Sequence, residues 1–129
     1  MKKVMVIVPF PMGESDLARR QAQMKAVRLG PDIEFHYRPV RVGPKNYSSQ
    51  HDMSLADFSI IDAGLDAQAE GFDAICIDTM SDSGMAMLRS LLTIPVFNPM
   101  WTYSISIAAA FVVSMLLVIA SDYRTAEQK

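Results

Sequence analysis

Short apolar runs alternate along the chain with longer segments in which apolar residues recur every three or four positions. The first pattern is typical of strands buried on both faces, and the second of helices with one buried side. The resulting βαβαβαβαβ order predicts a three-layer α/β fold, flavodoxin-like, in which helices cover both faces of a parallel sheet of four or five strands, with the first strand central. The strands are predicted over residues 3–8, 33–40, 72–78, 94–97 and 116–120, and the helices over residues 14–29, 54–70, 85–92 and 101–114.

Helix ends follow from residues with known positional preferences. Gly30 and Pro31 are predicted to stop the first helix, because glycine and proline commonly follow helix C-termini. Ser54 is predicted to cap the second helix, since a serine hydroxyl can accept a hydrogen bond from a free N–H of the first turn. Gly71 is predicted to end the same helix. Its buried side is then expected to consist of Leu55, Phe58, Ile61 and Leu65.

Two apolar stretches have some features of membrane segments. Residues 4–8 follow two lysines, as in a signal peptide, but Pro9 and Pro11 interrupt the run and no small-residue cleavage site follows, so a core strand is favoured. Residues 105–120 contain no charge over sixteen positions but fall short of the about 20 apolar residues that a span needs. A buried helix that runs into a buried strand is favoured there, and we expect no membrane association.

Composition narrows the function classes. A chain of 129 residues that is 50% apolar and 20% charged is predicted to fold as one domain, 1–129, and not as a disordered tail. With 12 basic and 14 acidic residues it shows no basic patch, so we expect no nucleic-acid partner. Cys76 is the single cysteine, which excludes an internal disulfide and a cysteine-rich metal site and favours a reducing, cytoplasmic setting. We expect no metal and no cofactor.

Ligands of parallel sheets bind at the carboxyl ends of the strands. The candidate site therefore lies in the loops at residues 9–13, 43–52, 79–84 and 98–102.

The run GFDAICIDTMSDSG at residues 71–84 resembles the aspartate/glutamate/hydantoin racemase superfamily. In that family a strand delivers a catalytic residue to a short Ser/Asp/Gly-rich turn that opens a helix. Residues 87–89 and the Ile-Pro-Val segment at 94–96 are similar to the following helix and strand of the family. The loop at 43–52 is similar to the loop after its second strand. The resemblance extends over about residues 3–125.

This resemblance implies an activity and a set of site residues. In the family two residues, usually cysteines, flank the α-carbon of an amino acid or hydantoin, and one removes the proton while the other returns one, without a cofactor. A thiol suits this role because its pKa of about 8.5 is easily lowered. Thr79 stands at the position of the first cysteine, as in some members of the aspartate/glutamate branch. The substrate-binding residues implied are Pro9, Phe10, Ser48, Met80, Ser81 and Asp82.

The chain departs from the family pattern in two places. Family members are nearly twice as long, and their second catalytic cysteine lies in the other half, so we interpret this chain as an incomplete, N-terminal racemase-like unit. Val8 to Pro11 stands where many relatives carry Asn-Pro-Asn-Thr. The apolar residues 103–114 would be covered partly by the missing half, and we therefore expect a homo-oligomer.

Several candidate residues have a second interpretation. Thr79 could simply end a strand, and Ser81 and Asp82 could cap a helix instead of binding a substrate carboxylate. Cys76 is interpreted as a small buried core residue, and His36 and His51 as structural or surface residues, because neither histidine has a spaced partner. The aromatic residues Trp101 and Tyr103 either line the pocket or pack beneath the sheet edge.

Two functions remain open, with a third disfavoured. The first is a racemase-type isomerase acting on a small acid or hydantoin, and the second is a truncated, non-catalytic α/β domain that binds a small carboxylate or a partner chain. A flavodoxin-like cofactor or response-regulator domain would fit the order of elements. Residues 9–13, however, form neither a phosphate-binding loop nor an acidic cluster.

Overall fold

The computed structural model describes residues 1–24 and 32–99, which belong to one compact unit, Met1–Pro99. Several predictions fall outside the described residues. These are the end of the first helix with its stop at Gly30 and Pro31, the elements predicted at 101–114 and 116–120, the apolar stretch 105–120, and the positions of Trp101 and Tyr103.

Strands and helices alternate along the described chain. In order they are β1 (Lys2–Val8), α1 (Glu14–Met24), β2 (Ile33–Pro39), α2 (Gln50–Gly64), β3 (Ala74–Ile77), α3 (Met85–Leu91) and β4 (Val96–Phe97). The four strands form one sheet in the order β2-β1-β3-β4, and all three neighbouring pairs are parallel. The α/β fold with a parallel sheet and an interior first strand is therefore confirmed.

The main core lies on one face of this sheet. Met5 and Ile7 of β1 are in register with Ile75 and Ile77 of β3, and all four side chains are fully buried. Helices α2 and α3 cover them, as the core cluster shows: Ile60, Ala63, Met85 and Leu88. Alternation along a strand sends the intervening residues to the other face. The connection from β1 to β2 through α1 runs along the sheet in the opposite direction to the connections through α2 and α3. Because such crossovers are right-handed, α1 covers that other face.

Helix α2 begins earlier than the sequence predicts. Its N-cap is Ser49, whose hydroxyl accepts from the backbone N–H of Asp52 at 3.1 Å, while the Asp52 carboxylate accepts from the backbone N–H of Ser49 at 3.1 Å. This reciprocal arrangement is a capping box, which satisfies two backbone donors at once. The prediction that Ser54 caps this helix is wrong, because the stronger cap lies five residues upstream.

The buried side of α2 also differs from the prediction. Phe58 is 67% exposed and Leu65 is 46% exposed, whereas the buried positions are Ala56, Ile60, Ala63 and Gly64. A Cβ atom at Gly64 would lie 2.9 Å from Cδ1 of Ile7 and 3.1 Å from Cδ1 of Leu88. The helix therefore approaches the sheet through Ile60 and small residues such as Gly64, whereas Phe58 and Leu65 face outward.

Candidate functional site

A pocket of about 430 Å³ opens beyond the carboxyl ends of β1 and β3. Its position is the one at which open parallel sheets bind ligands, and its volume lies within the range of small-molecule sites. The wall is built from the loops after these two strands, from the segment that leads into α2 and from the first turn of α2. Its lining residues are Pro9, Phe10, Tyr47, Met53, Asp78, Thr79, Met80 and Ser81.

Five of the seven residues predicted for the site line this pocket together: Pro9, Phe10, Thr79, Met80 and Ser81. Ser48 and Asp82 are not among its described lining residues. Ser48 lies next to Tyr47 and donates its hydroxyl to Asp52 at 3.3 Å. Asp82 accepts from the side chain of Asn98 at 3.1 Å, and its backbone oxygen accepts from the N–H of Met85. These two residues shape the loops behind the pocket, and the roles predicted for all seven remain predictions.

Thr79 sits in a chain of three hydroxyl groups. Its Oγ1 lies 3.0 Å from Oγ of Ser81 and accepts from the backbone N–H of Ser81 at 3.2 Å. Ser81 Oγ in turn lies 2.8 Å from Oγ of Ser83, which is only 5% exposed. Within residues 1–24 and 32–99, no imidazole, amine or carboxylate forms a hydrogen bond with Thr79 Oγ1. A nucleophilic or basic hydroxyl needs such a partner, and the described neighbours of Thr79 Oγ1 are only a hydroxyl and a backbone N–H.

The loop that carries Thr79 is fixed at its base. Asn98 is fully buried and donates from Nδ2 to the backbone oxygen of Ser81 at 3.0 Å. Gly84 has φ +69 and donates its backbone N–H to Oδ1 of Asp57 at 2.9 Å. The left-handed conformation favours glycine at this position. These contacts hold the loop against α2 and the end of β4, and they give the pocket a preformed hydroxyl-bearing side.

The facing wall is aromatic. The rings of Phe10 and Tyr47 meet edge to face with centroids 5.5 Å apart, and the Tyr47 hydroxyl donates to the backbone oxygen of Pro9 at 3.4 Å. Burial raises the pKa of Tyr47, and the charge of Asp57 adds to that rise, so the phenol remains neutral at physiological pH. Together with Met53 this wall offers apolar surface to a small planar ligand. Sequence reasoning missed Tyr47 and Met53, although it identified the loop at 43–52 that carries Tyr47.

Asp78 brings a negative charge to the pocket wall. Its carboxylate forms an ion pair with the guanidinium of Arg20 on α1, and both side chains are half-buried. Besides burial, the negative charge of Asp78 raises the pKa of both Tyr37 and Cys76. Burial raises the pKa of the Cys76 thiol to about 11, with a further contribution from Asp78, and the side chain is half-buried where the sequence predicts a core residue. Cys76 is therefore a neutral thiol at physiological pH and is no candidate base.

The two histidines stand away from this chemistry. His36 of β2 packs edge to face against Phe72 with ring centroids 5.5 Å apart, and His51 is 84% exposed at the start of α2. In the part of the chain that the structure describes, no group of three His, Cys, Asp or Glu side chains is placed to hold a metal ion. None of the described helices is long and apolar enough to cross a bilayer.

Comparison with known sequences gives a short match. No protein-family model matches the chain. The glucose-specific EIIBCA component of the PTS system of Corynebacterium glutamicum is 54% identical over 39 residues, which is 30% of this chain and 6% of that protein. A match of this extent does not establish a family.

Comparison with solved structures is more extensive. The chain is similar to the allantoin racemase from Klebsiella pneumoniae, with a TM-score of 0.64 and 21% identity over 76% of this chain and 39% of that one. It is also similar to the allantoin racemase from Pseudomonas fluorescens, with a TM-score of 0.61 and 19% identity over 74% of this chain and 40% of that one. The chain thus spans about two fifths of the length of these structures. The matched part of the chain has the fold found in these two allantoin racemases.

Proposed function

We propose that this chain is part of a racemase-type protein of the aspartate/glutamate/hydantoin racemase superfamily. It would act on the α-carbon of an amino acid, a hydantoin or a related small acid, by proton abstraction and return without a cofactor. One observation carries the proposal. Thr79 lies in the wall of a preformed pocket at the end of β3, in a fold shared with two allantoin racemases and at the position that the resemblance assigns to a catalytic residue.

The walls of the pocket support a small cyclic substrate. The aromatic rings of Phe10 and Tyr47 supply apolar surface, while the hydroxyls of Thr79 and Ser81 supply hydrogen-bonding groups for amide or carboxylate oxygens. A site with a mostly apolar wall and a few convergent polar groups is the usual design for small ligands.

Racemisation needs an acid/base group on each face of the α-carbon, and Thr79 supplies at most one. The first group takes the proton and leaves a planar, enolate-like carbon, and the second returns a proton to the opposite face. We propose that the second group lies outside the described residues, in a further part of the protein or in another copy of the chain. The homo-oligomer predicted from the apolar residues 103–114 remains a prediction.

The second candidate function is a non-catalytic domain that binds a small carboxylate or a partner chain. It is favoured by the surroundings of Thr79, whose hydroxyl contacts another hydroxyl and a backbone N–H but no base among the described residues. Such a group holds a ligand oxygen well and abstracts a carbon-bound proton poorly.

Exchange of the α-proton with solvent deuterium tests the proposal, because it needs only one working base. We would incubate 5-benzylhydantoin, aspartate and glutamate with the chain in D₂O and follow the α-proton signal by NMR against a protein-free background. We expect slow exchange with the natural chain, none above background with Thr79→Ala, and at least roughly tenfold faster exchange with Thr79→Cys, because a thiol ionises far more readily than a hydroxyl. Cys76→Ser is the matched control and should leave the rate unchanged.

Each result separates the two functions. Exchange that survives Thr79→Ala would contradict the assignment of the site. Ligand binding without exchange in both the natural chain and Thr79→Cys would favour the non-catalytic domain. Full inversion of configuration by the natural chain, abolished by Thr79→Ala, would show that this polypeptide, in one copy or between two copies, supplies both acid/base groups.

A further inference from the structure

The ion pair between Arg20 and Asp78 joins α1 to the rim of the pocket. Asp78 follows β3 directly and lines the pocket beside Thr79, whereas Arg20 reaches it from a helix 58 residues earlier in the chain. Both side chains are about one-third exposed, at 35% and 37%. The pair therefore lies at the boundary between solvent and the pocket, where a charge is only partly screened by water.

Asp78 is the one residue of the described wall that carries a charge at neutral pH, the others being apolar, aromatic or hydroxyl-bearing. Alone, it would make the pocket repel anions. Within the described residues, Asp78 is also the hydrogen-bond partner of the Arg20 guanidinium, which has five N–H donors. Arg20 is not among the lining residues of the pocket, and its positive charge offsets the carboxylate from behind the wall.

We propose that Arg20 determines the charge selectivity of this pocket. Its guanidinium cancels the charge of Asp78, so that a small molecule bearing a carboxylate can bind beside Thr79 instead of being repelled. This inference rests on the proposed function and narrows its substrate class to ring or chain compounds that carry a carboxylate in addition to the acidic C–H. Arg20 is a specificity-determining residue in this account and takes no part in proton transfer.

Neighbouring groups respond to the same two charges. Burial is the main cause of the raised pKa of Tyr37. The charge of Asp78 raises this pKa further and the charge of Arg20 lowers it, so the two charges have opposite effects on a third side chain. A merely structural ion pair would tie α1 to β3 equally well. The two roles differ in what they predict for neutral ligands, because loss of a tether weakens every ligand while loss of charge compensation weakens only anions.

The test uses two ligands of nearly equal shape, the anionic hydantoin-5-acetate and its neutral carboxamide. We would measure the dissociation constants of both by NMR titration for the natural chain, Arg20→Gln, the double variant Arg20→Gln/Asp78→Asn, and Arg19→Gln. The last is the matched control, since Arg19 is the adjacent arginine on α1 and pairs with Asp16 instead. We expect Arg20→Gln to weaken the carboxylate roughly tenfold and the carboxamide less than about twofold. The double variant should restore the carboxylate to within about threefold of the natural chain.

Equal weakening of both ligands, or a double variant without rescue, would overturn the inference and leave a structural tether. A second readout does not depend on any hydantoin. Cys76 is the single thiol and lies two residues before Asp78, so the ratio of its alkylation rates with anionic iodoacetate and neutral iodoacetamide reports the local charge. We expect this ratio to fall about threefold in Arg20→Gln and to recover in the double variant. An unchanged ratio would contradict the inference, whereas a natural chain that binds neither hydantoin would contradict the proposed function alone.

Discussion

The backbone N–H of Ser81 donates to Oγ1 of Thr79 across 3.2 Å, and the hydroxyl groups of the same two residues lie 3.0 Å apart. Both contacts fall within one loop, so the loop itself fixes the position of the Thr79 hydroxyl. The hydroxyl of Ser83 extends the chain inward at 2.8 Å from Ser81. A donor and acceptor network of this kind positions a hydroxyl group, but it supplies no group able to take its proton.

Removing the buried end of this chain should destabilise the loop. In Ser83→Ala, Ser81 Oγ loses the hydroxyl of Ser83, a residue that is only 5% exposed, and we expect the free energy of unfolding to fall by about 1 kcal/mol. Ser90→Ala is the control, because Ser90 is exposed and its hydroxyl donates to a backbone oxygen within α3. Its effect should stay within about 0.5 kcal/mol. Urea unfolding measures the free energy of unfolding of both variants. An equal loss in the two would show that the Ser83 hydroxyl contributes no more to stability than an exposed serine does.

The position of the α2 cap gives a second prediction. Ser49→Ala should cost about 1 kcal/mol, the usual value of an N-cap side chain, whereas Ser54→Ala should cost little because Ser54 lies inside the helix. Urea unfolding at neutral pH again provides the measurement. A larger loss in Ser54→Ala than in Ser49→Ala would contradict the helix start at Gln50.

The same cap predicts a pH dependence. Hydrogen bonds from Ser49 and Ser48 hold the pKa of Asp52 below its usual range. A carboxylate with a lowered folded-state pKa stabilises the protein above its unfolded-state pKa, and this contribution is lost as the pH falls through the folded value. The stability difference between the natural chain and Ser49→Ala should therefore be larger at pH 7 than near pH 3. A difference that stays constant over this range would show that Asp52 is not coupled to the cap.

The reactivity of Cys76 should follow its raised pKa. With a pKa of about 11, the thiol is almost entirely protonated at pH 8, and its alkylation by iodoacetamide should be far slower than that of a free thiol. The rate should climb until the pH reaches about 11, and Asp78→Asn should move this rise to lower pH because a repelling charge is removed. Mass spectrometry of the single thiol follows the reaction. A rate that levels off near pH 8.5 would contradict the burial of Cys76.

The strands could be predicted from the sequence because they are short, continuous apolar runs. Each side chain of β1 from Val4 to Val8 is apolar and buried, and in β3 Ile75 and Ile77 are fully buried. A continuous apolar run has one favourable placement, between two helical layers. The parallel sheet and the interior position of β1 follow from that placement and from the alternation of helices and strands.

Helix α2 shows where such reasoning fails. Leu55, Phe58, Ile61 and Leu65 have the spacing of a buried helical side, yet Phe58 is two-thirds exposed. The deciding quantity is the distance between helix and sheet, which Gly64 makes small through its approach to Ile7 and Leu88. That distance depends on packing between elements far apart in sequence, so apolar spacing alone could not predict it.

Some residues of the candidate site could be predicted from the sequence, and others could not. Pro9, Phe10 and Thr79 follow strands whose ends could be placed from sequence, and the structure brings them to one pocket. The contact between Arg20 and Asp78 spans 58 residues and depends on the position of α1 over the sheet. Tyr47 likewise reaches the pocket from an irregular loop. No local sequence pattern identifies Arg20 or Tyr47 as a residue near the pocket, because the tertiary structure brings each of them there.

Methionine methyl NMR tests most directly whether the pocket beside Thr79 binds the ligand. Met53 and Met80 line the pocket. Met5 and Met85 are buried in the core that α2 and α3 cover, and they serve as internal controls. With ¹³C-methyl methionine in the natural chain, titration with hydantoin-5-acetate should shift the signals of Met53 and Met80 together, along one saturable curve, and leave Met5 and Met85 in place. Saturable shifts at other methionines with Met53 and Met80 unmoved, or no shifts at all at millimolar ligand, would contradict the account.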